Sequence, residues 1–167
     1  MPTVEYRGMR LIVPENDSEF LGYFEAAHQH KLVMKKCSAC SLMRYPPGSG
    51  CPWCMSLGWT WQEVSGKGTI YSYEIVVHAI QPGFKEIAPY PVVVVELDEQ
   101  RGVPTQHEGI RVVANLVDDQ FTPEAEANVA IGKRVEVVFQ RISEEFTLPQ
   151  FKLSGEAPTG PVWQFPS

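Results

Sequence analysis

The chain has 167 residues, with 14 Lys+Arg against 20 Asp+Glu, a formal net charge of −6 and a hydrophobic share of 44%. That length limits it to one or two small domains, and its longest aliphatic run, Val92 to Val95, is far short of the roughly 20 apolar residues a membrane-crossing helix requires. The acidic balance disfavours nucleic acid, whose nonspecific affinity comes from Lys and Arg displacing counterions from phosphates. The N-terminal stretch shows no cationic segment followed by an apolar core and small-residue cleavage site, so the expected compartment is the cytoplasm. Fourteen prolines and thirteen glycines, with short β-branched runs between them, predict a mainly β chain.

Residues 1 to 15 read as irregular. Asn16, followed three places later by Glu19, resembles a capping box and predicts a helix over Asp17 to Lys31. Phe20, Leu21, Phe24, Ala27 and His28 would form its apolar face, with Tyr23 at the edge. All four cysteines then fall within eighteen residues, as Cys37-Ser-Ala-Cys40 and Cys51-Pro-Trp-Cys54. A C-x-x-C turn aims two sulfurs at one point, and two such knuckles supply four thiolates to a tetrahedral zinc ion. A shell closed by four protein thiolates leaves no position for an activated water, so such a zinc is structural. Two disulfides or a redox dithiol are the competing readings. Disulfides belong mainly to exported proteins, and a thioredoxin-like pair comes once, beside a βαβ pattern that is not found here.

Short strands are expected at Leu32 to Lys36, around Arg44, and from Gly58 to Val64, with Pro46-Pro47 turning the chain between the knuckles. Trp53, Trp59 and Trp61 supply the ribbon with packing area or with an exposed contact surface. Beyond Ser65-Gly66-Lys67-Gly68 a period-two pattern sets Tyr71, Tyr73, Ile75, Val77 and Ala79 on one side of a strand. A nine-residue loop, Gln81 to Pro89, precedes a valine-rich strand from Val92 to Leu97 whose continuous run predicts burial on both faces. Asp98 to Gly109 is a polar connection. Strands follow at Ile110 to Val117, Lys133 to Ile142 and Phe146 to Leu153, with a short helix or turn at Thr122 to Val129. Four or five strands in about 90 residues suffice for a small closed barrel of the OB type. The expected division is an arm and helix (1–31), a rubredoxin-like zinc ribbon (32–64), a five-stranded OB-fold barrel (65–153) and an irregular tail (154–167), in which Trp163 and Phe165 are candidate anchors.

No residue set reads as an independent active site. The cysteines are committed to the ribbon, and His28, His30, His78 and His107 accompany no catalytic motif. Asp118-Asp119 and Glu144-Glu145 lie in turn-like stretches as solvated charge.

The order of elements is familiar as a whole: helix, C-x-x-C…C-P-x-C ribbon, G-K-G-T-I-Y-S-Y, V-V-V-V-E-L-D, A-N-L-V, then I-G-K-R-V-E-V-V-F before T-L-P-Q-F. From about Asp17 to Lys152 it resembles the acyl-CoA-associated zinc-ribbon plus OB-fold family. Many relatives carry Gly where this chain has Ser41, often have Pro-Pro-Arg where it has Pro46-Pro47-Gly48, and have a shorter Asp98 to Gly109 connection. The resemblance implies a noncatalytic small subunit paired with a thiolase-like acyltransferase or aldolase, or with a hot-dog-fold enoyl-CoA hydratase, acting on CoA thioesters. Under that reading the metal ligands are Cys37, Cys40, Cys51 and Cys54. Phe84 and Lys85, an aromatic platform beside a cation, are the candidate contacts for the adenine-phosphate part of coenzyme A. Two other classes stay open: an OB barrel stacking single-stranded nucleic acid on Tyr71 and Tyr73, and a stand-alone zinc-ribbon scaffold.

Overall fold

The computed structural model describes residues 3–13, 17 and 19–166. The chain opens with a hairpin, β1 (Thr3–Tyr6) and β2 (Met9–Ile12), rather than the irregular arm expected. Its two-residue turn, Arg7-Gly8, has φ of 52° and 70°. Positive φ at both turn positions suits the right-handed twist of the flanking strands. Arginine rarely adopts that conformation, so the sequence carries no Asn-Gly or Asp-Gly signal for it.

The helix α1 is shorter than expected, Leu21–His28, and Asn16 lies outside the described residues. Asp17 accepts hydrogen bonds from the backbone N–H of Glu19 and Phe20 at 2.9 and 3.3 Å, just ahead of the first turn. The buried stripe is centred on Tyr23 and Ala27, at i and i+4, while Leu21 and His28 face out. The expected apolar face is thus rotated toward Tyr23, whose ring meets Phe24 and Tyr45.

A three-stranded ribbon sheet follows, ordered β4 (Met43–Arg44), β3 (Leu32–Cys37), β5 (Trp59–Val64). Alternation divides it. Leu32, Met34, Met43 and Val64 join the core shared with the barrel. On the other face Lys35, 1% exposed, holds its ammonium 4.1 Å from the Trp59 ring centroid and 5.5 Å from that of Trp61. Burial lowers the Lys35 pKa and Arg44 adds to the shift, against Glu19 and Asp17. The cation–π contact compensates part of the lost hydration. Trp61 also sets the approach of α1, because a Cβ on Gly22 would collide with its indole.

The remaining strands, β6 (Lys67–Val76), β7 (Tyr90–Leu97), β8 (Arg111–Asn115), β9 (Arg134–Arg141) and β10 (Thr147–Leu153), form one sheet ordered β10-β9-β6-β7-β8. A parallel bridge between Leu116 and Phe151 brings its two edges together, and the Val117 N–H donates to the Phe151 carbonyl at 2.8 Å. This is the nearly closed five-stranded barrel of an OB fold. Ile70, Val93, Val95, Leu97, Val135 and Phe151 fill it, each at most 1% exposed. Burying a side chain of this kind is worth roughly 1.5–3 kcal/mol.

Three local expectations change. On β7 the valines alternate: Val93 and Val95 are buried, Val92 and Val94 half-buried, because the outward face is only partly covered. On β6 the register shifts between Ile70 and Ser72, leaving Tyr71 as the extra residue. That bulge reverses the faces, so Ile70 and Tyr73 point to the core while Tyr71, expected beside Tyr73, faces solvent. The loop before β7 contains a four-residue helix, α2 (Pro82–Lys85), and the stretch before β9 holds a 3₁₀ turn at Glu126–Asn128. Among the described residues the tail has no regular strand, yet Trp163 exchanges two backbone hydrogen bonds with Ile131, at 2.8 and 3.0 Å.

Candidate functional site

β3 ends on Cys37 and the sheet then opens into the first knuckle, whose closing N–H, from Ser41, donates to the Cys37 carbonyl at 3.0 Å. Met55 does the same to Cys51, also at 3.0 Å. Both closing residues have positive φ, 63° at Ser41 and 61° at Met55. These are the positions where glycine has no steric cost, and a side chain here holds the backbone in a sparsely populated conformation.

The two turns bring four sulfurs together: Cys37 Sγ lies 3.6 Å from Cys54 Sγ, Cys40 Sγ lies 3.6 Å from Cys51 Sγ, and all four are within 4.8 Å of one another. A disulfide needs about 2.05 Å, and all four thiols are free. Four ligands at about 2.3 Å from a tetrahedral zinc stand roughly 3.8 Å apart. The two 3.6 Å pairs are close to that edge length, and the donor set is one a metal ion can use. The Cys40 backbone N–H, then that of Ala39, pull the Cys37 thiol down to about 6 against its burial. Burial of Cys51 opposes ionisation, but the N–H groups of Cys54 and Trp53 outweigh it and lower its pKa. The Leu42 N–H favours the Cys40 thiolate, yet desolvation and the adjacent sulfurs push it up to about 12. Cys54 is raised in the same way, against the Ser56 N–H. Backbone N–H groups of both knuckles thus point at the sulfurs and favour thiolates, the form in which cysteine binds a metal.

The ribbon is tied to the barrel by a residue that sequence reasoning missed. Gln100, 4% exposed at the start of the long Asp98 to Gly109 connection, uses both ends of its amide on one residue of β4. Its Oε1 accepts from the Met43 N–H at 2.6 Å and its Nε2 donates to the Met43 carbonyl at 2.9 Å. The side chain acts as one more rung of the ribbon sheet, satisfying an edge that would otherwise be buried unpaired.

Phe84 and Lys85 lie on α2. The Phe84 ring is half-buried between Tyr6, at 6.2 Å, and Tyr90, at 5.3 Å, whereas Lys85 is exposed. Of the histidines on α1 and just beyond it, His28 reaches Thr147 Oγ1 at 3.4 Å and His30 stacks on Phe139 at 5.5 Å. On the barrel's outer face Arg111 sits 3.8 Å over the exposed Tyr71 ring. Its charge is met by Glu96 at 2.9 Å, which also takes Arg101 at 3.2 Å. The buried Arg134 guanidinium is held by Asp98 at 2.5 Å and Glu156 at 3.3 Å. These cations are committed to carboxylates and do not form an open groove for a phosphate backbone.

With this architecture in place, comparison with known proteins is informative. Residues 61–140, from within β5 almost to the end of β9, match the family model described as the C-terminal OB-fold domain of ChsH2. DUF35 domain-containing scaffold proteins of Methanothermobacter thermautotrophicus and Methanocaldococcus jannaschii are 36% and 34% identical over 118 and 116 residues. The matches span 70% and 68% of this chain, and 77% and 71% of the relatives. The chain belongs to the DUF35 family. A solved structure titled Ltp2-ChsH2(DUF35) aldolase superposes with a TM-score of 0.68 at 36% identity, covering 85% of this chain and 99% of that one. A protein named probable enoyl-CoA hydratase alpha subunit, from Thermomonospora curvata, is 38% identical over 130 residues. That match takes in 78% of this chain but 36% of the relative's length. A DUF35 crystal structure from Sulfolobus solfataricus, 17% identical with a TM-score of 0.52, shares the fold.

As a DUF35 protein with a ribbon and an OB barrel, the chain has the architecture that the element order led us to expect. Among the described residues no helix is long and apolar enough to cross a membrane.

Proposed function

We propose that this DUF35 protein is a noncatalytic accessory subunit of a thiolase-like enzyme that makes or breaks a carbon–carbon bond beside a CoA thioester. The observation that carries this reading is the match to a chain of the solved Ltp2-ChsH2(DUF35) aldolase, which takes in 99% of that chain. The chemistry of the ribbon agrees with it. A thiolase-like reaction needs a free cysteine nucleophile, and all four cysteines here converge on one point. The four thiolates hold a structural zinc, which fixes the ribbon and performs no turnover. A thiolate metal site also suits a reducing compartment, the cytoplasm.

The barrel's part is to wall the acyl-CoA tunnel at the interface and to keep the catalytic subunit's loops ordered. Lys85 supplies an exposed cation for the CoA phosphates, next to the Phe84 ring. A second reading is favoured by the hydratase relative: the partner is then a hydratase chain, and this chain corresponds to one part of a longer subunit.

Reconstitution tests the proposal. Alone, the protein turns over no acyl-CoA; added to its catalytic partner it raises kcat/KM for the thioester. Lys85→Glu raises KM for CoA thioesters by roughly tenfold, the loss of about one charge-assisted hydrogen bond, with kcat unchanged. Turnover by the isolated chain would contradict the noncatalytic assignment. An unchanged KM in the variant would remove Lys85 from the CoA site.

A further inference from the structure

Among the described residues, the seam between the N-terminal hairpin and the barrel holds two of three buried side-chain polar atoms without a hydrogen-bond partner, the third being Arg44 Nη1. The hairpin tip docks at the end of the barrel where β7 begins and β8 ends. Its backbone passes so close to α2 that a Cβ on Gly83 would collide with the Arg7 carbonyl and the Met9 side chain. Tyr6 is buried there, its hydroxyl donating to Gln140 Oε1 at 3.4 Å, and Gln150 Nε2 donates to the same oxygen. Arg7 Nη2 donates to the Phe121 carbonyl at 3.5 Å.

Two groups of this network are left over. Arg7 Nε–H and Gln150 Oε1 are both buried and, among the described residues, have no hydrogen-bond partner. Gln150 as a whole is 4% exposed. One is a donor and the other an acceptor, and their residues line the same small cavity of about 10 Å³, together with Tyr6, Tyr90, Asn115 and Leu116. A buried N–H or C=O without a partner costs on the order of a lost hydrogen bond or more. A ligand that satisfies both groups must accept one hydrogen bond and donate another within that small space, which is what a single water molecule requires. An anion would be repelled by the Gln150 oxygen, and a cation by the Arg7 guanidinium.

We infer that one ordered water bridges Arg7 Nε to Gln150 Oε1 and latches the N-terminal hairpin to the barrel. The hairpin is thereby a strap fastened by a solvent molecule at its tip. Arg7 and Gln150 share no direct hydrogen bond, so the water adds a short link to the longer route through Tyr6, whose ring lies 5.3 Å from the Arg7 guanidinium, and Gln140.

A double-mutant cycle with Arg7→Lys and Gln150→Met tests this, read by hydrogen exchange of the hairpin amides, with the Val93 and Val95 amides of β7 as an internal reference. Gln150→Met also removes the bond to Gln140 and Arg7→Lys the bond to Phe121, losses that cancel in the cycle where each is independent of the other substitution. Each single variant should speed hairpin exchange at least about fivefold to tenfold relative to β7, the effect of one buried hydrogen bond, and the double variant by clearly less than the product of the two singles. Independent effects that multiply would overturn the bridge. A crystal structure gives a second decision. Density for one water within hydrogen-bond reach of both atoms supports the latch, whereas a dry cavity, or a rotated Gln150 amide bonded directly to Arg7, refutes it.

Discussion

The ribbon sheet places Leu32, Met34, Met43 and Val64 in the shared core and turns its other face to two half-buried tryptophans and a caged lysine. The barrel fills its interior with aliphatic side chains and Phe151 and brings its sheet edges together. The ribbon's strands are two to six residues long against five to ten in the barrel. Its two knuckles converge on four sulfurs instead of on a hydrophobic centre. A small unit with little apolar area needs a covalent or metallic staple, whereas a closed barrel is held by its own burial.

Removing the proposed zinc is the strongest way to break this comparison. Structural zinc in small ribbons contributes on the order of 10 kcal/mol of folding free energy. Chelation, or the pair Cys37→Ser and Cys51→Ser, should unfold the ribbon, seen as loss of hydrogen-exchange protection in β3 and β5, while β7 and β9 stay protected. Metal analysis of protein purified without chelator should give about one zinc per chain. The converse perturbation is Phe151→Ala, which empties the barrel's centre and should cost about 3–5 kcal/mol in urea unfolding without loss of metal. A smaller effect is expected at the link between the two units. Gln100→Ala leaves the buried N–H and C=O of Met43 without partners, at a cost of about 2–3 kcal/mol, and should raise exchange in β4 with little change in β7.

The smallest expected effect depends on pH. The Arg134 guanidinium, hydrogen-bonded to Asp98, holds the Asp98 carboxyl below its ordinary value. Its contribution to stability is present above the unfolded pKa, near 3.8, and is lost as pH falls through the lower folded value. Asp98→Asn should cost about 1 kcal/mol at pH 7, after allowing for screening of a partly exposed pair, and the difference from wild type should shrink below about pH 4. Glu156, lowered first by Lys67 and then by Arg134, acts in the same direction.

Features that depend on local spacing were legible in the sequence. The two C-x-x-C pairs and their ten-residue separation specify a four-sulfur cluster, and the continuous valines of β7 and the alternation in β9 specify strands, although the β7 run did not show that only one of its faces is fully buried. Features set by distant partners were not. The bulge at Tyr71 interrupts an unbroken period-two pattern, and only the pairing of β6 with β7 shows which tyrosine turns inward. Tyr23 and Ala27 line the buried side of α1 because the ribbon and Tyr45 lie there, a placement the helix's own periodicity leaves open. Gln100 reads as one more polar residue in a polar connection until the fold sets it against Met43. Phe84 reads as a free platform until the hairpin brings Tyr6 beside it.

The accessory role is tested most directly by native purification of the untagged protein from its source cell, with mass spectrometry of what comes with it. The expected result is a thiolase-like or hydratase catalytic chain in a fixed ratio, retained through size-exclusion chromatography. Recovery of the protein alone, or with nucleic acid in place of an acyl-CoA enzyme, would contradict it.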